Sequence, residues 1–221
     1  ASGFYDFPIS NSLRFEDGDT AYLSRTPGSA SNRDTWTWSA WVKGADAALQ
    51  TLFSGGVGSG NDTFNLRIDD GQISLNSGSV ALRSTTALFR DFSAWYHIVL
   101  AVDTTQSTDT NRLKLYVNGS LITVFSTSNI PAQNTDLGVN QAALHTIGRR
   151  ANAADRYLNG YLAEVNFVDG SQLTPSSFGE TKNDIWIPKN TSGLTFGTNG
   201  FRLQFKQVGT GTASSSTIGA D

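Results

Sequence analysis

The chain holds few residues capable of chemistry, and their spacing matters mostly for what it does not assemble. There is no cysteine in the 221 residues, which removes thiol nucleophiles, thiolate metal sites and disulfides together. His97 lies inside Trp95-Tyr96-His97-Ile98-Val99 with no nucleophile tied to it, and His145 precedes Thr146-Ile147-Gly148 near a strand start. Both read as structural imidazoles rather than general bases. The three glutamates, Glu16, Glu164 and Glu180, have no acidic partner at alternate positions of a strand. The carboxyl pair that glycoside hydrolysis needs, ~5 Å or ~6.5–9.5 Å apart, is therefore not set up. Asp17, Asp19, Asp69, Asp70 and Asp169 sit in turn-like contexts, which turn chemistry explains without a reaction. Within Glu16-Asp17-Gly18-Asp19, Asp17 and Asp19 are the best candidates to ligate a calcium ion, which takes loop oxygens. A plain acidic turn is the preferred reading of the same residues. The Gly-rich stretch Gly56–Asn61 lacks the third glycine of a dinucleotide fingerprint, and no phosphate-binding loop, esterase elbow or His-Glu-x-x-His helix occurs. The expectation is a protein that is not an enzyme and needs no cofactor, calcium being the one ion with any support.

The elements that would carry such residues are short alternating runs separated by turns, with almost no helical spacing. The expected strands are Leu13–Phe15, Ala21–Ser24, Trp36–Lys43, Gln50–Ser54, Phe64–Asp69, Gln72–Asn76, Trp95–Asp103, Arg112–Val117, Leu121–Phe125, Leu144–Gly148, Tyr157–Val168 and Gly200–Phe205. Asp70-Gly71 and Asn118-Gly119 are the dipeptides that two-residue hairpins with positive φ prefer. Thr174-Pro175 is a helix-start signal for a single short turn. In Trp36–Lys43, alternation sends Trp36, Trp38, Ala40 and Val42 to the core. Trp41 falls on the opposite face, where it either floors a binding surface or lies under a loop. A fold of twelve such strands is all-β, a two-sheet antiparallel sandwich.

Composition narrows the function classes. Sixteen Lys+Arg against 19 Asp+Glu give a net charge of −3 with a pI near 5.3, so the basic stripe of a nucleic-acid module is missing. No apolar run approaches the roughly 20 residues that cross a bilayer, and membrane insertion is not expected. Charged residues are 16% of the chain while aromatics reach 11%, including 5 Trp and 13 Phe, enough apolar ring surface for a core without staples. Residues 1–205 read as one domain, and 206–221, ending Gly-Thr-Gly-Thr-Ala-Ser-Ser-Ser-Thr-Ile-Gly-Ala-Asp, as a flexible linker-like tail leading onward.

Several segments resemble, in order, the laminin G-like and concanavalin A-like domains. They are Ser12–Leu23, Trp36-Thr37-Trp38-Ser39-Ala40-Trp41-Val42-Lys43, Trp95–Val99, Leu113–Gly119, Ile147-Gly148-Arg149 and Leu158–Val165. The resemblance spans about residues 10 to 180 and implies a jelly roll with one concave sheet. The Glu-x-Asp-x-x-Glu strand of the glucanases of this fold is missing, and Arg149-Arg150-Ala151-Asn152 stands where pentraxins carry calcium-binding anions. Asp184–Lys189 and Gly197–Phe205 resemble a tail seen in structural proteins of tailed bacteriophages. Together these imply a lectin-like fibre, appendage or decoration domain on the outside of a virion, partnered by other virion subunits as a homo-oligomer and by host-surface glycan. A purely structural subunit-interaction module is the alternative, and a polysaccharide-active enzyme the third. The expected sugar contacts lie in one loop set, Asp17–Thr20, Gly55–Asp62, Asn134–Gln141 and Arg149–Tyr157, with Asn61, Asp62, Asn134, Asn140, Asn152 and Tyr157 as the ligand-facing residues.

Overall fold

A computed structural model of the chain describes residues 5–207. All of the expected tail except Lys206 and Gln207 lies outside the described residues. The strands, in chain order, are β1 (Leu13–Phe15), β2 (Leu23–Arg25), β3 (Thr35–Gly44), β4 (Gln50–Gly56), β5 (Thr63–Asp69), β6 (Gln72–Ser77), β7 (Val80–Thr85) and β8 (Tyr96–Asp103). They continue as β9 (Leu113–Val117), β10 (Ser120–Leu121), β11 (Phe125–Ser128), β12 (His145–Ile147), β13 (Gly160–Asp169), β14 (Gly179–Lys182), β15 (Ile185–Pro188) and β16 (Phe201–Leu203).

Fourteen of them form two antiparallel seven-stranded sheets, and β14 and β15 pair as a separate hairpin. The first runs β1-β13-β3-β8-β9-β10, with β16 also paired to β13; the second runs β11-β7-β6-β5-β4-β12-β2. The all-β sandwich expected from the alternation is the fold observed. Trp36, Trp38, Ala40 and Val42 face the core as their period requires. Trp36 meets Phe64 of the second sheet edge-on at 5.1 Å between centroids, the geometry aromatic quadrupoles favour. Phe53 and Phe167 continue that aromatic layer.

Both hairpin expectations hold. Asp70 and Asn118 have φ of 49°, and Gly71 and Gly119 have φ of 79° and 80°, as a type I′ turn demands at both central positions. Pro175–Ser177 is a single 3-10 turn preceded by extended Thr174. Three strands escaped the sequence reading: β7, and the β14–β15 hairpin. The expected strand Leu121–Phe125 is split, because β10 pairs with β9 in the first sheet whereas Phe125 starts β11 beside β7 in the second. Ile122–Val124 is thus the crossing between sheets.

The outer face of the first sheet is largely covered. Val99 and Val168 pack there against Phe178, with Leu173, Leu194 and Phe196 alongside, which is why Thr37 and Ser39 are buried although they point away from the core. The second sheet has no such cover over its full width.

Candidate functional site

Strand register sets two rows of polar side chains across the outer face of the second sheet. Ser24 lies opposite Thr146, Thr146 opposite Ser54, Ser54 opposite Asn65, and Asn65 opposite Asn76. The second row runs Thr51, Arg67, Ser74 and Ser84. Their partners on the other face, Phe64, Leu66, Ile68, Ile73 and Leu75, are core, so alternation alone puts these polar groups outside. At ~4.8 Å per strand, a row crossing five strands is about 19 Å long, long enough for an oligomeric ligand.

The floor is deep and incompletely satisfied. Ser54, Asn65 and Asn76 are 1%, 3% and 4% exposed. Ser54 Oγ donates to Asn65 Oδ1 at 3.0 Å and the Ser74 and Ser84 hydroxyls share a bond of 3.0 Å. Thr51 Oγ1, Arg67 Nε and Asn76 Oδ1 are buried without a hydrogen-bond partner. Each such group costs about 1–3 kcal/mol unless water or a ligand meets it.

The segment after β12 forms one rim. The Ala151 amide donates to Ser54 Oγ at 2.9 Å, Thr146 Oγ1 donates to the Arg149 carbonyl, and the Thr51 amide donates to the Arg156 carbonyl. The segment is thereby fixed to the floor rather than left as a free loop. It carries Arg149, whose guanidinium lies 3.9 Å from the centre of the Tyr22 ring, and Tyr157, 6.5 Å from Tyr22. Arg150 forks onto Asp155. That bond first, and the Arg150 charge with it, holds the Asp155 carboxyl below its usual range. Burial and then the Arg156 charge lower the Arg67 guanidinium, partly opposed by Asp69, with Arg150 adding to the lowering. In a chain of net charge −3, this face therefore concentrates positive charge, which Asp69 and Asp155 offset only in part.

The loop set expected from sequence does not converge. Asp17, Asp19 and Tyr157 sit toward the end of the sandwich where β13 begins, and Asn152 follows Ala151, which lies over Ser54 on the outer face of the second sheet. Asn61, Asp62, Asn134 and Asn140 sit at the opposite end, where β3 begins and β13 finishes. Register dictates this, because Gly56 pairs with Thr63 at one end while Gly44 pairs with Gly160 at the other. At the far end Asp62 is held by Arg33 and its carbonyl by Gln141 Nε2, and Asn134 uses its backbone on Thr104. Asn140 is a correction. It is 1% exposed and spends its amide on the Asn32 carbonyl and Asp169 Oδ1, so it faces the interior and not a ligand. Asp169 is the centre of that end, accepting from Ser31, Asn32, Asn140 and the Asn199 amide. Of the expected residues, only Asn152 and Tyr157 belong to the segment that rims the polar face. The outward polar residues of β5 and β6 look in sequence like ordinary solvated strand positions; their one signal is the alternation Asn65, Arg67, Asp69 and Gln72, Ser74, Asn76.

Asp17 caps its own turn, accepting from the Gly18 amide at 3.0 Å, and Asp19 is exposed beside it. Among the described residues no three of His, Asp and Glu gather as a metal-binding group. Both histidines are buried and neutral. His145 donates Nδ1–H to the Ala143 carbonyl and accepts the Asn140 amide at Nε2, while burial lowers its pKa. His97 accepts the Trp186 indole N–H at Nδ1, 3.0 Å. Its Nε2–H therefore donates to Ser39 Oγ at 2.9 Å, and burial pushes its pKa down to about 3.

Residues 17–177 match the family described as the concanavalin A-like lectin/glucanases superfamily, in its laminin G form. The chain belongs to that superfamily. Among solved structures it is similar to domain 4 of an extracellular arabinanase from Geobacillus stearothermophilus, in complex with arabinotriose. That likeness is at 25% identity, over 70% of this chain and 69% of that one, with a TM-score of 0.51. It is also similar to the mouse laminin α1 chain domains LG4-5, at 11% identity over 88% of this chain and 47% of that one, TM-score 0.52. The enzymatically active domain of a bacteriophage CBA120 tailspike protein shares the fold at 13% identity, over 76% of this chain and 26% of that one, TM-score 0.50. No curated protein matches the chain in sequence.

Proposed function

We propose that this is a non-enzymatic glycan-binding domain of a tailed-bacteriophage appendage, displayed outside the particle, and that the polar face of its second sheet holds host-surface glycan bearing carboxylate or sulfate groups. The observation that carries the reading is the row of outward polar side chains, Ser54, Asn65 and Asn76 with Arg67 and Ser74 beside them, bordered by the arginines Arg149, Arg150 and Arg156. A polyhydroxylated, acidic ligand would meet both, whereas a neutral apolar one would meet neither. The likeness to an arabinanase domain seen with arabinotriose supports sugar binding. The appendage assignment rests on the resemblance of Asp184–Lys189 and Gly197–Phe205 to phage structural proteins. Of these segments, β16 extends the first sheet beside β13 and β15 pairs with β14.

A glycan array probed at low salt tests the reading. Acidic oligosaccharides should be retained, and Arg67→Ala or Asn76→Ala should abolish retention while the fold persists. Retention of no acidic glycan, together with no binding to host cells, would overturn it.

A further inference from the structure

The opposite sheet carries a pocket of different chemistry. It has a volume of about 420 Å³ and is lined by Tyr5, Trp41, Trp95, Trp186, Ala163 and Pro188, with Pro8–Ser12 along one side. That volume lies within the roughly 300–1,000 Å³ typical of small-ligand sites. Three of the five tryptophans of the chain meet here, and none of the lining side chains is charged. The walls are mostly made by segments outside residues 17–177 that match the family, so the pocket is an addition to the shared sandwich.

The rings are held in place before any ligand arrives. Trp41 stacks on His97 at 4.9 Å with planes 28° apart, and Trp186 stacks on the same imidazole at 5.8 Å and 26°. The indole N–H of Trp186 is fixed on His97 Nδ1. Gly119 and Gly179 leave the room its ring needs, since a Cβ at either would come within 2.6 Å or 2.5 Å of the indole. Trp95 meets Tyr161 edge-on at 6.4 Å and remains 37% exposed. Asp6 pairs with Lys182 at 3.1 Å, tying the N-terminal wall to the β14–β15 hairpin. Rigid aromatic anchors lose little entropy on binding.

We propose that this pocket is a second saccharide site, separate from the polar face and opposite in preference, taking an uncharged pyranose unit against Trp41, Trp95 and Trp186. A pyranose has an apolar C–H face that covers indole and an edge of hydroxyls that Ser10, Ser12 and the Asn11 Oδ1 can bond, Asn11 Nδ2 being held by the Phe205 carbonyl. The uncharged lining rejects the acidic sugars that the arginine-rich face attracts, because a carboxylate here would be desolvated without a partner. Proline-rich peptide is the competing occupant of an aromatic groove, and the hydroxyl and amide groups along Ser10–Ser12 favour sugar over it.

The test is a titration of the intact domain with neutral methyl glycosides of hexoses and pentoses, and separately with a polyproline peptide, followed through indole N–H resonances and tryptophan fluorescence. At least one glycoside should shift the Trp95 indole at millimolar concentrations. Trp95→Ala should weaken that binding about tenfold or more, whereas Trp95→Phe, keeping a flat ring, should retain most of it. Arg67→Ala and Asn76→Ala should leave it unchanged, which separates this site from the polar face. A Trp95 resonance unmoved by every glycoside, a Trp95→Ala protein that binds as the parent does, or a shift with polyproline alone would overturn the proposal.

Discussion

Lowering the pH from 6.5 to 5 should destabilise this protein well before its carboxylates titrate, and His97 is the reason. In the unfolded chain its imidazole has a pKa of about 6.5; in the fold, burial brings it to about 3. The unfolded state therefore binds the extra proton over this interval and stability falls with pH. The loss starts as pH drops below the unfolded value and continues until the folded value is reached. The slope is about half of 1.4 kcal/mol per unit at pH 6.5 and approaches that limit as the unfolded imidazole fills, so pH 6.5 to 5 removes between about 1 and 2 kcal/mol from this one group. Geometry gives the same sign independently. Nδ1 accepts the Trp186 N–H, and a proton there would break that bond and leave two donors facing each other. His145, lowered in the same direction, adds to the slope. Urea unfolding followed by tryptophan fluorescence at pH 7, 6 and 5, for the parent and for His97→Gln, isolates the His97 share. Between pH 7 and pH 5 the parent should lose about 2 kcal/mol more than the variant, most of it below pH 6, where the unfolded imidazole is nearly all protonated. Equal slopes, or an imidazole nitrogen spectrum showing Nδ1–H or a midpoint near 6.5, would refute the reasoning.

Other consequences can be measured alongside. Asp169→Ala leaves the donors of Ser31, Asn32, Asn140 and Asn199 without their shared acceptor, and chemical denaturation should show a loss of about 3 kcal/mol or more. Gly119→Ala forces a side chain into φ of 80° against Trp186; it should cost about 1–3 kcal/mol and weaken the pocket's hold on neutral glycoside in the same titration. Raising ionic strength from about 0.01 M to about 1 M shortens the screening length from ~30 Å to ~3 Å. Acidic-glycan binding on the second sheet should weaken across that range, and neutral-glycoside binding on the first should not.

The sandwich was legible because its strands obey period two. Trp36, Trp38, Ala40 and Val42 could only face one way, and Asp70-Gly71 and Asn118-Gly119 could only be tight turns. β14 and β15 were not legible, since Ile185-Trp186-Ile187-Pro188 is too short for a period and gains its strand form by packing on the first sheet. Trp41 stacks on His97 through one face and borders the aromatic pocket. The loop set failed for a topological reason. Asn, Asp and Gly mark turns at either end of a strand alike, and only the register of β1, β3, β4, β5 and β13 shows that Asn61 and Asp17 lie at opposite ends. Asn140 failed for an energetic one: the buried Asp169 carboxylate needs donors, and nothing local in the sequence reveals that Asn140 is one of them.

The central claim, glycan held on the outer face of the second sheet, is tested most directly by mapping side-chain and amide resonances as an acidic oligosaccharide is added. The account predicts shifts at Asn65, Arg67, Asn76 and the Arg149–Tyr157 rim, with the far-end residues Asn61 and Asn134 unmoved. Shifts confined to that far end, or no shift anywhere on the second sheet, would contradict it.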